Sequence, residues 1–202
     1  MRLTLFTGGI CETNGYLVET PDGNLLIDAP EGVTDWLARR GARVDHVLLT
    51  HQHFDHVLDA AALQATGAKL HALEEYSTAL TLENLFGGGI GVAVPPYRID
   101  RRLTLSPEPA LSVCGLDFTL YHIPGHAPDA VVFHLPALEL AFSGDTLFAG
   151  SIGRTDLPGG SQQLLLDGIA RDLLGLPPQT KLLPGHGPGT TVDREKRSNP
   201  YL

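Results

Sequence analysis

Cysteine is scarce in this chain: Cys11 and Cys114 are the only two among 202 residues. They form no Cys-x-x-Cys pair, which excludes a cysteine-built zinc module and a disulfide scaffold. A chain of this length buries roughly 70% of its unfolded surface and holds together without crosslinks. Both cysteines therefore read as free thiols in a reducing compartment. Long hydrophobic runs are also missing. No segment approaches the roughly 18 apolar residues of a membrane span, and the opening MRLTLFTGGICETNG has no signal-like core. The expectation is a soluble, cytoplasmic protein with no membrane partner. Basic residues are few, 14 Lys and Arg against 23 Asp and Glu, for a net charge of -9. That balance argues against nucleic acid as partner, because phosphate backbones are held by Lys and Arg. Bound divalent cations would still make a local positive site inside an acidic surface.

What is present suits a globular enzyme: 43% hydrophobic residues, 18% charged, with 23 glycines and 15 prolines falling mostly between apolar runs. Residues 3–7 and 15–20 read as strands, the second turning through TPDGN into a run from Asn24 to Ile27. Residues 32–40 read as a helix with Val33, Trp36 and Leu37 on one face. HVLLT (46–50) reads as a buried strand. Leu58, Ala61, Ala62 and Ala65 then recur at helical spacing, KLHAL returns as a strand, and 73–84 reads as a helix ended by Gly87, Gly88 and Gly89. The second half repeats this grammar. Strands are expected at 97–100, 111–114, 117–123, 130–135, 138–143 and 180–183. One helix is expected at 162–174 with Leu166, Ile169 and Leu173 on one face, and a solvated closing helix in GTTVDREKRSNP. The stretches 86–94 and 106–110 read as loops, and the first lacks the Lys and Ser/Thr of a phosphate-binding loop. Strands followed by helices in each half predict an α/β layered fold, one domain over residues 1–202.

Four motifs share one layout, an apolar strand running into a loop that bears histidine or aspartate. They are LLTHQHFDH, LYHIPGHAPD, LAFSGDTLF and LLPGHGPGT. Together they offer His51, His53, Asp55, His56, His126, Asp145 and His186 at strand ends, where α/β folds collect functional residues. Neutral imidazole and carboxylate are ligands for zinc, and they also suit iron or manganese. Seven donors are more than one tetrahedral ion uses, and they suit two ions. His51 and His53 reach one ion from an extended loop, and Asp55 and His56 turn toward the second. Asp145 is the natural bridge, having two oxygens to share. His46, His71, His122 and His134 sit in or beside apolar runs without motif partners and read as structural.

These four motifs resemble the metallo-β-lactamase superfamily, and most closely its small glyoxalase II-like hydrolases. The resemblance runs from about Asn14 to the final RSNPYL. It implies a four-layer αβ/βα sandwich with a metal site at one edge of two sheets. It also implies one ion on His51, His53 and His126, another on Asp55, His56 and His186, and Asp145 between them. Asp28 matches a position whose carboxylate orders the loops without binding metal. The implied reaction is hydrolysis of a thioester by hydroxide bridging two divalent ions, zinc first, with iron or manganese as alternatives. Asp55 would be a ligand first, and orient the hydroxide and shuttle a proton second. The same donors suit a mononuclear-iron persulfide dioxygenase, a rival that GRTDLPGG also resembles. A non-catalytic metal-binding module is the remote third reading. Nuclease and β-lactamase readings rank lower, for want of an RNA-clamping insertion and of an export signal.

Several positions depart from the pattern. Only 11 residues follow LLPGHGPGTT, too few for the helical domain with which longer glyoxalase II enzymes hold glutathione. Leu58 and Asp59 stand where paired small residues are usual, and Asp129 where glycine is usual. Asp59 reads as a solvated helix residue and Asp129 as an ordinary turn residue. In the sharper reading, one or both tune the mouth of the site against anionic substrates. Arg154 is a candidate contact for a substrate carboxylate, or else anchors its loop on Asp156 or another acid.

Overall fold

The apolar runs of the first half assemble into one six-stranded sheet, in the order β1 to β6. These strands are β1 (Arg2–Gly8), β2 (Thr13–Thr20), β3 (Gly23–Ile27), β4 (His46–Leu48), β5 (Lys69–Ala72) and β6 (Arg101–Arg102). The computed structural model describes residues 1–83, 92–105 and 111–202. It comprises two compact units, Met1–Leu103 with Val113–Gly115, and Thr104–Ser112 with Leu116–Leu202.

In the first unit β1, β2 and β3 are antiparallel, and β3 through β6 run parallel. Cross-strand register aligns Leu17, Leu26, Val47 and Leu70 in one row. All four are fully buried in one cluster with Val33, Leu37 and Leu63. Each such side chain contributes roughly 1.5–3 kcal/mol on burial, so this row holds the sheet to its helices. The covering helices are α1 (Val33–Arg40), α2 (Phe54–Val57) and α3 (Ala60–Ala65). α1 ends as its sequence dictates: Gly41 takes a left-handed φ of 63° and its amide bonds Ala38 O. Trp36 packs half-buried against Phe6, with the Arg40 guanidinium over its ring.

Three expectations for this unit are corrected. The face of α3 is Val57, Ala60 and Leu63, with Ala62 and Ala65 exposed, because the helix breaks after α2 at Leu58–Asp59 and the period restarts. The helix expected over 73–84 is a single turn, α4 (Thr78–Thr81), capped by Ser77 and stopped at Leu82 with φ 57°; its glycine terminator lies outside the described residues. The strand expected at 97–100 forms only at β6. Pro95 and Pro96 lack amide donors, and Asp100 Oδ2 accepts from Leu70 N at the position a strand residue would fill.

The second sheet consists of β7 (Leu111–Val113, of which Leu111 and Ser112 belong to the second unit), β8 (Leu116–His122), β9 (Val131–Leu135), β10 (Leu140–Gly144), β13 (Lys181–Pro184) and β14 (Thr190–Thr191). Their order in the sheet is β14-β13-β10-β9-β8-β7. A small hairpin, β11 (Leu147–Phe148) and β12 (Ser151–Ile152), stands apart from that sheet. Among the pairings described in this sheet, that of β10 with β13 is parallel, and those of β9 with β10, β13 with β14 and β8 with β9 are antiparallel. The helices are α5 (Gln162–Gly168), continued by a π-helical turn over Ile169–Leu173, and α6 (Val192–Ser198). The buried face of α5 carries Leu165 in place of the expected Leu166, because Leu165, Ile169 and Leu173 keep strict i+4 spacing into the core with Val132, Ala141 and Leu182. The loop read at 106–110 lies outside the described residues. No described helix is long and apolar enough to cross a membrane.

Candidate functional site

In the first unit, β4 delivers the chain into a loop that turns at once into α2. His51, His53 and His56 are buried and Asp55 is largely so. The His51 ring lies 4.6 Å from that of His53 and 4.1 Å from that of His56, centroid to centroid. The ligand atoms of His51 and His53, of His51 and His56, and of Asp55 and His56 fall within 4.8 Å of each other.

Asp28 sets the orientation of these rings. It follows β3 with a left-handed φ of 60°, a conformation Asp tolerates better than most residues. Its carboxylate accepts from Thr50 N at 2.7 Å, Thr50 Oγ1 at 2.8 Å and His56 Nδ1 at 2.9 Å. Thr50 spends its one hydroxyl proton on Asp28. The His51 Nδ1, 3.1 Å from Thr50 Oγ1, must therefore be the donor in that bond. Both His51 and His56 thus carry their proton on Nδ1 and keep Nε2 as a lone-pair ligand atom.

Three further residues hold this loop, and only one of them drew attention in the sequence. Gln52, fully buried between the first two histidines, donates to Glu74 O and accepts from Tyr97 Oη at 2.9 Å. Thr13 Oγ1 donates to Asp55 Oδ2 at 2.7 Å and fixes the rotation of that carboxylate. Asp59, the departure from the family pattern, accepts from Thr34 N at 2.8 Å. α1 begins at Gly32, which has no side chain to cap it, and Asp59 supplies the missing acceptor from elsewhere in the chain. Its amide also bonds Ala29 O, next to Asp28. Asp59 is thus a cap and a loop tie, which replaces the reading of it as a solvated helix residue.

In the second unit, Asp145 follows β10 and His186 follows β13. The parallel pairing of those strands brings the two residues out at the same end. Gly185 N bonds Gly144 O at 2.8 Å and locks that exit. Asp145 Oδ2 lies 3.4 Å from His126 Nε2 and 3.3 Å from His186 Nε2, one oxygen between two imidazole nitrogens. His126 Nδ1 donates to Arg154 O at 2.8 Å, again committing Nε2 to the ligand role. Asp129, three residues on, is buried at 2% exposure, unlike an ordinary turn residue. The Arg154 guanidinium makes a two-point exposed pair with Asp156, Nε to Oδ1 at 2.7 Å and Nη2 to Oδ2 at 2.8 Å. That pair holds the Asp156 carboxyl down at about 2.

The histidines read as structural fall elsewhere. His46 and His71 bond each other, Nδ1 to Nε2 at 2.9 Å, across β4 and β5. His122 Nε2 bonds Pro128 O. His134 is buried against Tyr121, and burial lowers its pKa. The donor chemistry of both units, imidazole Nε2 and carboxylate oxygen with each Nδ1 turned to an acceptor wherever its bond is seen, fits borderline divalent ions such as zinc, iron or manganese.

Comparison with known proteins agrees with this chemistry. The family model described as Metallo-beta-lactamase superfamily matches residues 8–186. The hydroxyacylglutathione hydrolase GloC of Haemophilus influenzae is 35% identical over 199 residues, covering 95% of this chain and 93% of that protein. The solved structure of TTHA1623 in a di-iron-bound form aligns with a TM-score of 0.81 and 39% identity, covering 98% of this chain and all of that one. The structure of BLEG-1 B3 metallo-beta-lactamase aligns with a TM-score of 0.88 and 32% identity, over 100% and 99% of the two chains. The two sheets with their flanking helices match that fold, and the chain belongs to the metallo-beta-lactamase superfamily.

Proposed function

We propose that this chain is a metal-dependent hydrolase of thioesters, its two units working as one domain. His51, His53 and His126 would hold one divalent ion, Asp55, His56 and His186 a second, and Asp145 would serve both. The observation that carries the reading is the hydrogen bonding of the rings. His51, His56 and His126 each turn Nδ1–H to Thr50, Asp28 and Arg154 O respectively, leaving Nε2 for a metal. The names and metals of the relatives, a hydroxyacylglutathione hydrolase and a di-iron protein, support it further.

When bound, such ions lower the pKa of water toward neutrality and polarise a carbonyl. The chain's own contribution is placement. Asp28 and Thr50 hold the imidazoles of His56 and His51. Thr13 fixes Asp55, whose carboxylate would orient the attacking water and take up its proton in addition to serving as a ligand. A thioester suits this equipment because its leaving thiol has a pKa near 8.5, so it departs without a strong general acid. Arg154 would meet a substrate carboxylate by exchanging Asp156 for it. The acidic surface favours a small-molecule substrate over nucleic acid, and the reduced cysteines suit the cytoplasm.

The test is turnover of a panel comprising glutathione and coenzyme A thioesters, a β-lactam and glutathione persulfide, with metal-loaded and chelator-stripped protein. Thioester hydrolysis that disappears on stripping is expected. Oxygen consumption on the persulfide, or β-lactam hydrolysis without thioester turnover, would overturn the proposal.

A further inference from the structure

Residues 147–154 touch all three candidate ligands of the second unit. Phe148, in β11, presents an edge-on ring to His186 with centroids 6.1 Å apart. Arg154 O accepts from His126 Nδ1. Between them Gly153 passes so close to the ligand backbone that an added Cβ would stand 1.9 Å from Asp145 O and 3.0 Å from His126 Cβ. Only glycine permits this approach, since real Cβ atoms do not come within 3 Å of such neighbours.

The same segment is tied at its other side to α6. Glu195 is fully buried, and its Oε2 accepts from Gly150 N at 2.8 Å and from Asn199 Nδ2 at 2.9 Å. Asn199 Nδ2 also donates to Ser151 O at 3.1 Å. Thr190 donates its hydroxyl to the other carboxylate oxygen. A buried carboxylate that holds a hairpin turn by its backbone is a costly device to maintain for a surface hairpin alone.

We infer that the segment 147–154 is a strap, pinned to α6 by Glu195 and Asn199, that sets the position and tautomer of His126. Gly153, Glu195 and Asn199 are then positioning residues for the metal. The strap acts through backbone, so the identity of the Arg154 side chain is immaterial to it. Any accommodation that shifts the hairpin by a few tenths of an ångström misdirects His126 Nε2. This inference rests on the proposed ligand role of His126, and its test separates the two.

The first arm is metal-free. Nitrogen-15 spectra of the histidine rings in chelator-treated protein should show His126 protonated at Nδ1, and a ring protonated at Nε2 alone overturns the inference whatever the metal does. The second arm measures zinc affinity by chelator competition in folded variants. Gly153→Ala and Glu195→Ala are expected to bind zinc about 10–100-fold more weakly, the usual cost of losing an outer partner of a ligand. Arg154→Ala should stay within about threefold of the parent. Glu195→Gln, which keeps the shape and one acceptor, should recover most of the Glu195→Ala loss and serves where Gly153→Ala does not fold. Wild-type affinity in Glu195→Ala, or an Arg154→Ala loss equal to that of Glu195→Ala, overturns the strap. A parent protein that shows the Nδ1 tautomer yet binds no zinc refutes the hydrolase reading and leaves the strap standing.

Discussion

Acid should weaken this protein through a histidine that takes no part in the site. His71 is 4% exposed on β5, and burial, His46, Arg101 and Lys69 together lower its pKa from 6.5 to about 4, against the opposing pull of Asp100. Its Nε2 shares one proton with His46 Nδ1 across 2.9 Å, an arrangement that fails once both rings are cationic. A base with a depressed folded pKa contributes stability above the unfolded value, lost as the pH falls through 6.5 toward 4. Proton linkage over that window gives about 3 kcal/mol in all, of which about 2 kcal/mol is gone at pH 5. The measurement is urea unfolding at pH 7 and pH 5, with chelator throughout so that metal binding does not enter. The comparison is with His71→Leu, which removes the buried ionisable ring. The parent should lose about 2 kcal/mol more than His71→Leu between the two pH values. Equal losses would rule out His71 as the source of the acid sensitivity, as would a parent that gained stability at pH 5.

Two other perturbations have defined outcomes. Asp59→Ala removes the acceptor at the start of α1 and should cost about 1 kcal/mol, seen as a melting temperature roughly 2–4 °C lower for a chain of this size. The ratio of charged to neutral thioester turnover should not change; a changed ratio with an unchanged melting temperature would restore Asp59 to the mouth of the site. Asp28→Asn keeps the shape but donates where His56 and Thr50 need an acceptor. It should weaken metal binding about 10–100-fold by chelator competition.

The sequence was most legible where chemistry and strand ends coincide. The seven proposed ligands come from four short motifs, because an apolar run ending in histidine or aspartate is a local pattern, and the structure places His51 beside His53 and His56, and Asp145 beside His126 and His186. The second rank of residues was not legible in that way. Thr13 and Asp55 stand 42 positions apart and Arg154 O and His126 28 apart, and nothing in either local pattern announces a hydrogen bond between them. Asp59 was visible as an oddity, yet its purpose depends on Gly32 leaving α1 uncapped, a fact of tertiary placement. Element errors followed the same rule. The strand expected at 97–100 was displaced by two prolines and by an aspartate side chain acting as backbone, and the α3 face shifted because a helix broke where the apolar spacing ran on.

Metal stoichiometry is the direct test of the proposed two-ion centre of seven residues. Protein purified without added metal, then equilibrated with zinc and freed of excess, should hold two ions per chain by elemental analysis. Asp145→Ala should lower that number and abolish thioester turnover together. A parent that saturates at a single ion, or an Asp145→Ala variant that keeps both, would contradict a two-ion centre bridged by Asp145.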